Sequence, residues 1–549
     1  MHMFCFQCQE TGENRGCRFF GACGKQEETA NYQDLLIYTL KGLAVCHERL
    51  RTAGGPPPDR ETALFVAYAL FSTITNVSFD PERVRALVHQ GLHLKEKLLA
   101  GHPGLLDGED SPAAGWLPAD ADELRQKAYQ VGILFGDPDE DIRSLRETIT
   151  YGLKGLAAYH YHALILEQDD PELTRFTLRA LAAITRDLSL ADLLGLALET
   201  GSATIRSMAL LDRANSAAYG HPEITRVPLG VRDAPGILIT GHDLKDMEEL
   251  LEQTAGTGVD VYTHSEMLPA HYYPAFKKHP HLACNYGNAW WNQEHDFAAF
   301  RGPILVTSNC IVPVAEAYRD RIFTTGPAAY PGLPHIWPDP KTGRKDFSAL
   351  IRLARGCPPP DPQDGGEFVG GFGRNQLEQL AGRIAELVRA GEIRRFLVMG
   401  GCDGRDPARD YYRELAARLP EGTVILTAGC AKFRFMHVPV GTIAGVPRIL
   451  DAGQCNDCYA LVFIALKLKE AFGAADINDL PVSYDIPWYD QKAVAVLLAL
   501  LSLGVRRIRL GPTLPAFLSP NVRRILVEKF DLRPITTPED DLAAMVAGR

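Results

Sequence analysis

Four cysteines stand at the carboxyl ends of apolar runs that read as strands: VTSNC at Cys310, VMGGC at Cys402, LTAGC at Cys430 and ILDAGQC at Cys455. A strand that stops at a small-residue turn presents the next side chain at the carboxyl edge of its sheet, where open α/β sheets bind ligands. His242 after ILITG and Glu266 after VDVYTHS stand in the same relation to two further runs. A fold that obeys this pattern aims several metal-ligating side chains at one region. The expectation is a buried metal cluster suited to redox chemistry.

Composition narrows the classes. A chain of 549 residues, 46% apolar and 23% charged, is an ordinary globular protein of several domains. A net charge of −11 and the absence of Lys/Arg-rich runs argue against nucleic acid or an anionic membrane as partner. The longest largely apolar stretch, Ala493 to Val505, is too short for a bilayer and is expected to be a core helix. The start, MHMFCFQCQE, shows neither the basic leader nor the apolar core of an export signal, so the expected compartment is the cytoplasm. There, twelve cysteines are better explained as thiolates for metal than as a disulfide framework.

Residues 1–25 form a cysteine- and glycine-rich cap. From about residue 30 to 220 the apolar spacing is helical, and Asp80-Pro81-Glu82 and Asp170-Pro171-Glu172 are helix starts with proline at the first position. Tyr38-Thr39-Leu40-Lys41-Gly42-Leu43-Ala44 returns as Tyr151-Gly152-Leu153-Lys154-Gly155-Leu156-Ala157, an offset of 113 residues. Duplicated helical bundles would produce this echo, as would chance similarity of two amphipathic helices. After about residue 225, short apolar runs alternate with helical segments, the signature of βαβ units and a parallel sheet. A Pro- and Gly-rich stretch, about 331–371, interrupts the series, which resumes with RRFLVMGG, GTVILTAG, PRILDAG, LPVSYDI and RRIRLGP. The predicted fold is multidomain, α and α/β: cap and duplicated helical bundles over 1–225, then two doubly wound, Rossmann-like domains over 226–370 and 371–549. No strand is followed by a full GxGxxG, and GGFG at Gly370 reads as loop, so a dinucleotide site lacks support.

Cys5, Cys8, Cys17 and Cys23 make C-x2-C-x8-C-x5-C. Four thiolates within one short loop suit structural zinc or an iron–sulfur cluster. The strand-end cysteines elsewhere tilt the choice to the cluster. Gly16, Gly21 and Gly24 fit either, because backbone must approach the sulfurs closely. Each central residue also has a plain explanation when taken singly. A free cysteine often fills a core gap, His242 alone suits a helix cap, and Glu266 alone suits the surface. Cys46, Cys284, Cys357 and Cys458 lack the strand–turn placement and read as packing residues, Cys458 with reservation because it closes a C-x2-C pair with Cys455. What carries the assignment is coincidence: residues from separate strands share one position relative to the sheet. Mixed sulfur, nitrogen and oxygen ligation suits an iron left open for a small substrate.

At this point the chain resembles the hybrid cluster protein family, also called hydroxylamine reductases, nearly end to end. The N-terminal spacing resembles that of members whose first cluster is a [4Fe-4S] cubane. GHDL carries the family's histidine (His242) and THSEMLPAHYYP its glutamate (Glu266). SNC, GGCDG, AGC and GQCND carry its cysteines (Cys310, Cys402, Cys430, Cys455), and WYDQKAV corresponds to its WYEQKAV, whose acid and lysine flank the hybrid cluster. The resemblance implies a hybrid [4Fe-2O-2S] cluster at the domain interface, held by those residues together with Asp490, and a persulfide at Cys402. The implied activity is reduction of hydroxylamine to ammonia and water. Nitric oxide reduction and protein S-nitrosylation in nitrosative stress are the alternatives, and a carbon monoxide dehydrogenase-like enzyme is a more distant one. Asp490 stands where the family has glutamate, roughly 1.5 Å shorter in reach. Electrons from an unidentified donor would enter at the N-terminal cluster. Lys492, His242 or Glu266 would then supply protons to the leaving hydroxide, and Cys402 would take part at the hybrid centre.

Overall fold

Residues 3–363 and 365–549 are described here from a computed structural model. The amino-terminal part is helical: α1 (Glu27–Thr52), α2 (Arg60–Ser72), α3 (Pro81–Gly101), the short α4 (Pro112–Gly115) and α5 (Ala121–Ala128), then α6 (Glu140–Ile165), α7 (Pro171–Ala183) and α8 (Leu190–Tyr219). The starts are fixed chemically. The Asp80 and Asp170 carboxylates accept the backbone N–H of Glu82 and Glu172, with proline in the first turn, and Ser189 closes a capping box with Asp192. α1 and α6 are each 26 residues long and α2 and α7 each 13, so the echo falls on helices of matched length. Packing follows the same correspondence: α1 lies against α3 and α7, α6 against α8 and α2. Each repeat therefore lends its short helix to the other's long one.

Glycine at equivalent positions of the two long helices allows close contact. A Cβ on Gly42 would stand 2.2 Å from the Ala113 carbonyl oxygen, and one on Gly155 would stand 2.5 Å from that of Gln491. The second contact places the helix Gln491–Ser502, from the far end of the chain, against α6 and α8. That helix is the apolar stretch read above as a core helix, and it is buried as far as Leu501.

The rest is built on two sheets. The strands in chain order are β1 (Thr225–Pro228), β2 (Gly236–Thr240), β3 (Asp260–His264), β4 (Leu282–Asn285), β5 (Ile304–Val306), β6 (Ile322–Thr325), β7 (His335–Ile336) and β8 (Glu367–Gly370). They continue with β9 (Arg395–Val398), β10 (Thr423–Thr427), β11 (Thr442–Ile443), β12 (Val446–Pro447), β13 (Ile449–Asp451), β14 (Val482–Pro487), β15 (Ile508–Gly511) and β16 (Arg533–Pro534). One parallel sheet runs β4-β3-β2-β5-β6-β7, the other β13-β10-β9-β14-β15-β16. Both orders are doubly wound. β2 and β10 are buried at every residue, as unbroken apolar runs covered on both faces must be. β1 and β8 form a separate antiparallel ribbon. Two details differ from the sequence reading. The Pro- and Gly-rich stretch contains β7, a helix (Ser348–Ala354) and β8, and Gly370 of GGFG ends β8 rather than lying in a loop. These pieces are two to seven residues long, too short for periodicity to register. Among the described residues, no helix is long and apolar enough to cross a membrane.

Candidate metal centres

In a doubly wound sheet the strand order reverses at one place, leaving a crevice at the carboxyl edge. In the first sheet this lies between β2 and β5, and in the second between β9 and β14. The sequence feeds both crevices. His242 follows β2 and Cys310 follows β5; Cys402 follows β9, and Asp490 with Lys492 follows β14. Glu266, Cys430 and Cys455 follow the adjoining strands β3, β10 and β13. All of these side chains are buried.

The two edges meet. Ligand atoms of His242, Glu266 and Cys455 lie within 4.8 Å of one another, with His242 Nε2 3.4 Å from Glu266 Oε2. The Cys455 backbone N–H donates to that same carboxylate oxygen at 2.9 Å, and Gln454 Nε2 donates to the Glu266 carbonyl at 2.8 Å. Lys492 Nζ is 2.9 Å from His242 Nε2 and donates to Asn309 Oδ1 at 2.9 Å. Asn309 Nδ2 in turn donates to Asp490 Oδ2 at 2.8 Å. The remaining thiols belong to the same constellation. Cys310 feels the charges of Asp490, Lys492 and Cys402, and Cys430 those of Glu266, Cys402 and Cys310.

The hydrogen bonds fix the histidine tautomer. His242 Nδ1 is 2.9 Å from the Asn309 carbonyl oxygen, which can only accept, so Nδ1 carries the proton and Nε2 presents its lone pair to the Lys492 ammonium. Burial, and then the Lys492 ammonium, push His242 down, which keeps the imidazole neutral. Burial disfavours the charge on Lys492, but Cys455, Asp490, Cys310 and Glu266 outweigh it and hold the amine above its ordinary range. Burial likewise pushes Glu266 up, and the positive charge around it, the Lys432 and Lys492 ammonium groups included, brings it below the usual carboxylate range. Burial pushes the Cys455 thiol up to about 12, with Lys492 the chief opposing influence. A bound cation reverses that protonation, since metal-coordinated thiols are deprotonated.

The donor set fits a metal core on its own terms. Every cysteine is free of disulfides. Glu266 Oε1 is buried and has no hydrogen-bond partner among the described residues, which costs free energy unless something binds there. Asp490 differs from Glu266. Its Oδ1 caps the following helix through the Lys492 N–H at 2.8 Å, and its Oδ2 takes the Asn309 amide.

The N-terminal cysteines come together at a separate place. Cys5 and Cys17 pair as an antiparallel bridge, their backbones exchanging hydrogen bonds at 3.1 and 2.8 Å. Gly12 and Ala22 direct N–H groups at Cys17 Sγ from 3.4 and 3.3 Å. A Cβ on Gly21 would stand 2.9 Å from Cys23 Sγ, so the turn requires glycine. The four cysteines line one cavity of about 120 Å³. Burial pushes Cys5 up to about 12, and Cys8 is raised by burial and then by the other three thiols. The centres are linked through Gln9, next to Cys8, whose N–H donates to the carbonyl of Tyr489, next to Asp490, at 3.0 Å.

The sequence reading missed several side chains at the central site. Asn309 joins Lys492 to Asp490, and Gln454 clamps the Glu266 backbone. Asp403, whose N–H donates to Cys430 Sγ at 3.2 Å, accepts from Trp291 and Arg434 at 2.7 Å each. Asn309 and Gln454 each precede a candidate cysteine, which was the only signal available. Of the cysteines read as packing residues, Cys46 lies in α1, Cys284 in β4, and Cys357, half-buried, follows the helix Ser348–Ala354. Cys458 is different: buried at a helix start, it feels Cys455, Asp457, Glu266 and Cys402.

Comparison with known proteins adds three findings. The profile of the Prismane/CO dehydrogenase family matches residues 3–543. A hydroxylamine reductase of Nitratidesulfovibrio vulgaris is 55% identical over all of both chains, and one of Thermoanaerobacter pseudethanolicus is 54% identical over 99% of each. Among solved structures, a carbon monoxide dehydrogenase from Thermococcus sp. AM4 aligns with a TM-score of 0.56 at 17% identity, covering 99% of this chain and 90% of the other. Carbon Monoxide Dehydrogenase IV from Carboxydothermus hydrogenoformans aligns at 0.55 and 16%, covering 99% and 92%.

Proposed function

The chain belongs to the Prismane/CO dehydrogenase family, and from that membership we propose that it is a cytoplasmic iron–sulfur oxidoreductase reducing hydroxylamine to ammonia and water. Full-length identity of 54–55% to proteins named hydroxylamine reductase supports the activity. The likeness to carbon monoxide dehydrogenases is one of fold. The observation that carries the reading is the convergence of His242, Glu266 and Cys455 from three different strand ends, with the orphaned Glu266 Oε1 among them.

In this reading Cys5, Cys8, Cys17 and Cys23 hold a [4Fe-4S] cluster. Cys310, Cys402, Cys430, Cys455, His242 and Glu266 hold a hybrid [4Fe-2O-2S] core, with Asp490 a weaker candidate because both its oxygens are engaged. Cys402 is the candidate for persulfidation. When bound, the hybrid core supplies redox equivalents and a Lewis-acidic iron. The protein supplies the rest. Lys492, kept cationic by the surrounding carboxylates and thiols, holds a proton at Nζ that the leaving hydroxide requires. Asn309 fixes that Nζ through its Oδ1 while tethering Asp490 through its Nδ2. His242 stays neutral and is oriented by the Asn309 carbonyl and Ser308. Burial on all sides excludes bulk water from the site.

Anaerobic purification, iron and sulfide counts, electron paramagnetic resonance and ammonia release from hydroxylamine test the proposal together. The expected outcome is two spectroscopically distinct iron centres and stoichiometric ammonia. A zinc-loaded, colourless protein would overturn it.

A further inference from the structure

The cavity that receives the four N-terminal thiols extends between the duplicated helices and carries charge of its own. Asp34, Tyr38 and Lys41 fall on one face of α1 at spacings of four and three residues, and Glu147, Tyr151 and Lys154 occupy the equivalent places on α6, 113 residues later. All six line the cavity that Cys5, Cys8, Cys17 and Cys23 line. The duplication has thus placed two copies of an acid–tyrosine–lysine triplet against one metal-binding cap.

The other charged groups facing this space are Lys25 from the cap and Asp137, Arg143 and Arg146 from α6 and the loop before it. Arg146 and Asp137 pair with each other at 3.0 Å, and Lys25 Nζ is held by Gln33 Oε1 at 2.7 Å. Burial, and then the nearby Glu147 carboxylate, push Asp34 up to about 7, against the pull of Lys154, Lys41 and Lys25. Burial lowers Lys41, and it lowers Lys154 to about 8. Tyr151 is 2% exposed, yet its hydroxyl has no hydrogen-bond partner, and the Tyr38 hydroxyl is likewise unpartnered. A cavity wall with unpartnered hydroxyls beside two carboxylates is built to take up water and a mobile proton.

We propose that the Asp34–Glu147 carboxylate pair is a proton-binding site, relayed by Tyr151, that takes up one proton for each electron delivered to the four-cysteine centre. This rests on the reading that those cysteines hold an iron–sulfur cluster. The physical reason is charge. An electron added to a thiolate-bound core in a low-dielectric interior repels nearby carboxylates, and protonating one of them offsets the added charge. The step balances: an external one-electron donor loses one electron to the core, and bulk solvent gives one proton to a carboxylate by way of Tyr151, so the net charge of the cavity and core is unchanged.

Redox titration of the anaerobically purified full-length holoprotein, followed by electron paramagnetic resonance from pH 6 to pH 9, tests this. In the wild type the reduction equilibrium of the N-terminal centre should shift tenfold per pH unit above about pH 7, or about 59 mV for one electron. It should flatten below that, where the pair already carries its proton. Asp34→Asn and Glu147→Gln, made separately so that one misfolding variant leaves the other, should each reduce the slope to less than twofold per unit. The signal of the second centre should not change. A flat wild-type profile, or a slope that survives in either folded variant, overturns the proposal. A wild-type protein without a reducible N-terminal centre overturns the cluster assignment itself, a result distinct from a reducible centre with a flat profile.

Discussion

Gly155→Ala tests how the helical repeat positions the central site. An added Cβ would lie 2.5 Å from the Gln491 carbonyl oxygen, 2.6 Å from Ala495 Cβ and 3.0 Å from Lys492 Cα, where ordinary contact begins at 3.4 Å. The helix Gln491–Ser502 must therefore retreat by roughly 1 Å to reach ordinary contact. Overpacking of this kind costs about 1–3 kcal/mol, and alanine's better helix propensity returns about 1 kcal/mol, leaving a net loss on the order of 1 kcal/mol. The functional effect should be larger than the stability effect. Lys492 opens that helix, and its two 2.9 Å contacts, to His242 and Asn309, cannot both survive the shift. A misplacement of about 1 Å at a reacting group lowers kcat/KM by about 100-fold. The control is built into the fold. Gly42→Ala meets the Ala113 carbonyl at 2.2 Å in the equivalent place of the first repeat, so it should lose comparable stability and keep its turnover. Urea denaturation and hydroxylamine turnover on both variants decide the matter. Equal turnover in the two, whether retained or lost, would refute positioning through Gly155.

Three further outcomes follow from the geometry. Lys492→Met removes the ammonium beside His242 and should lower turnover by about 10²- to 10⁴-fold with the pH profile altered; unchanged rates at every pH would exclude Lys492 as proton donor. Asp490→Glu gives up a favourable helix cap, at a cost of about 1 kcal/mol, and frees a longer carboxylate. The resonance signal of the second centre should change while that of the first stays the same, and an unaltered spectrum would show that the acid at 490 does not reach the iron. Burial pushes Asp485 up to about 7, with one oxygen unpartnered and the other accepting from Tyr411 at 2.6 Å. Its folded value lies above its unfolded value of 3.8, so its contribution is complete below about pH 4 and is lost as pH rises to about 7. Asp485→Asn should remove that loss, raising the urea midpoint relative to wild type at pH 8 more than at pH 5.

Much of the candidate site was legible because ligand-type side chains at a sheet edge leave a local mark. Cys402 and Cys430 each follow an apolar run and a glycine, and that unit can be read without knowing its neighbours. Asn309 left no such mark: its value lies in reaching Lys492 and Asp490, more than 180 residues away. The cavity triplets were half visible. The Tyr–Lys echo was plain, whereas the pairing of Asp34 with Glu147 mattered only once α1 and α6 faced one another. Two short strands, β7 and β8, were lost in a proline- and glycine-rich stretch because β7 has only two residues and the pairing partner of β8, β1, lies far back in the chain.

The chain's own order of residues determined its classes of structure: a cysteine cap, a helical part with an internal echo, parallel α/β sheets, and ligand-type side chains at strand ends. Local apolar spacing and turn chemistry encode these, and both act over a few residues. Which strand lies beside which was decided only in the folded molecule. Both sheets reverse their winding where His242, Cys310, Cys402 and Lys492 emerge, because strand order follows from the burial of whole faces rather than from any one segment. The meeting of residues from two sheets at one site, and of residues from α1 and α6 at one cavity, is set by packing at a distance, and no local pattern records it.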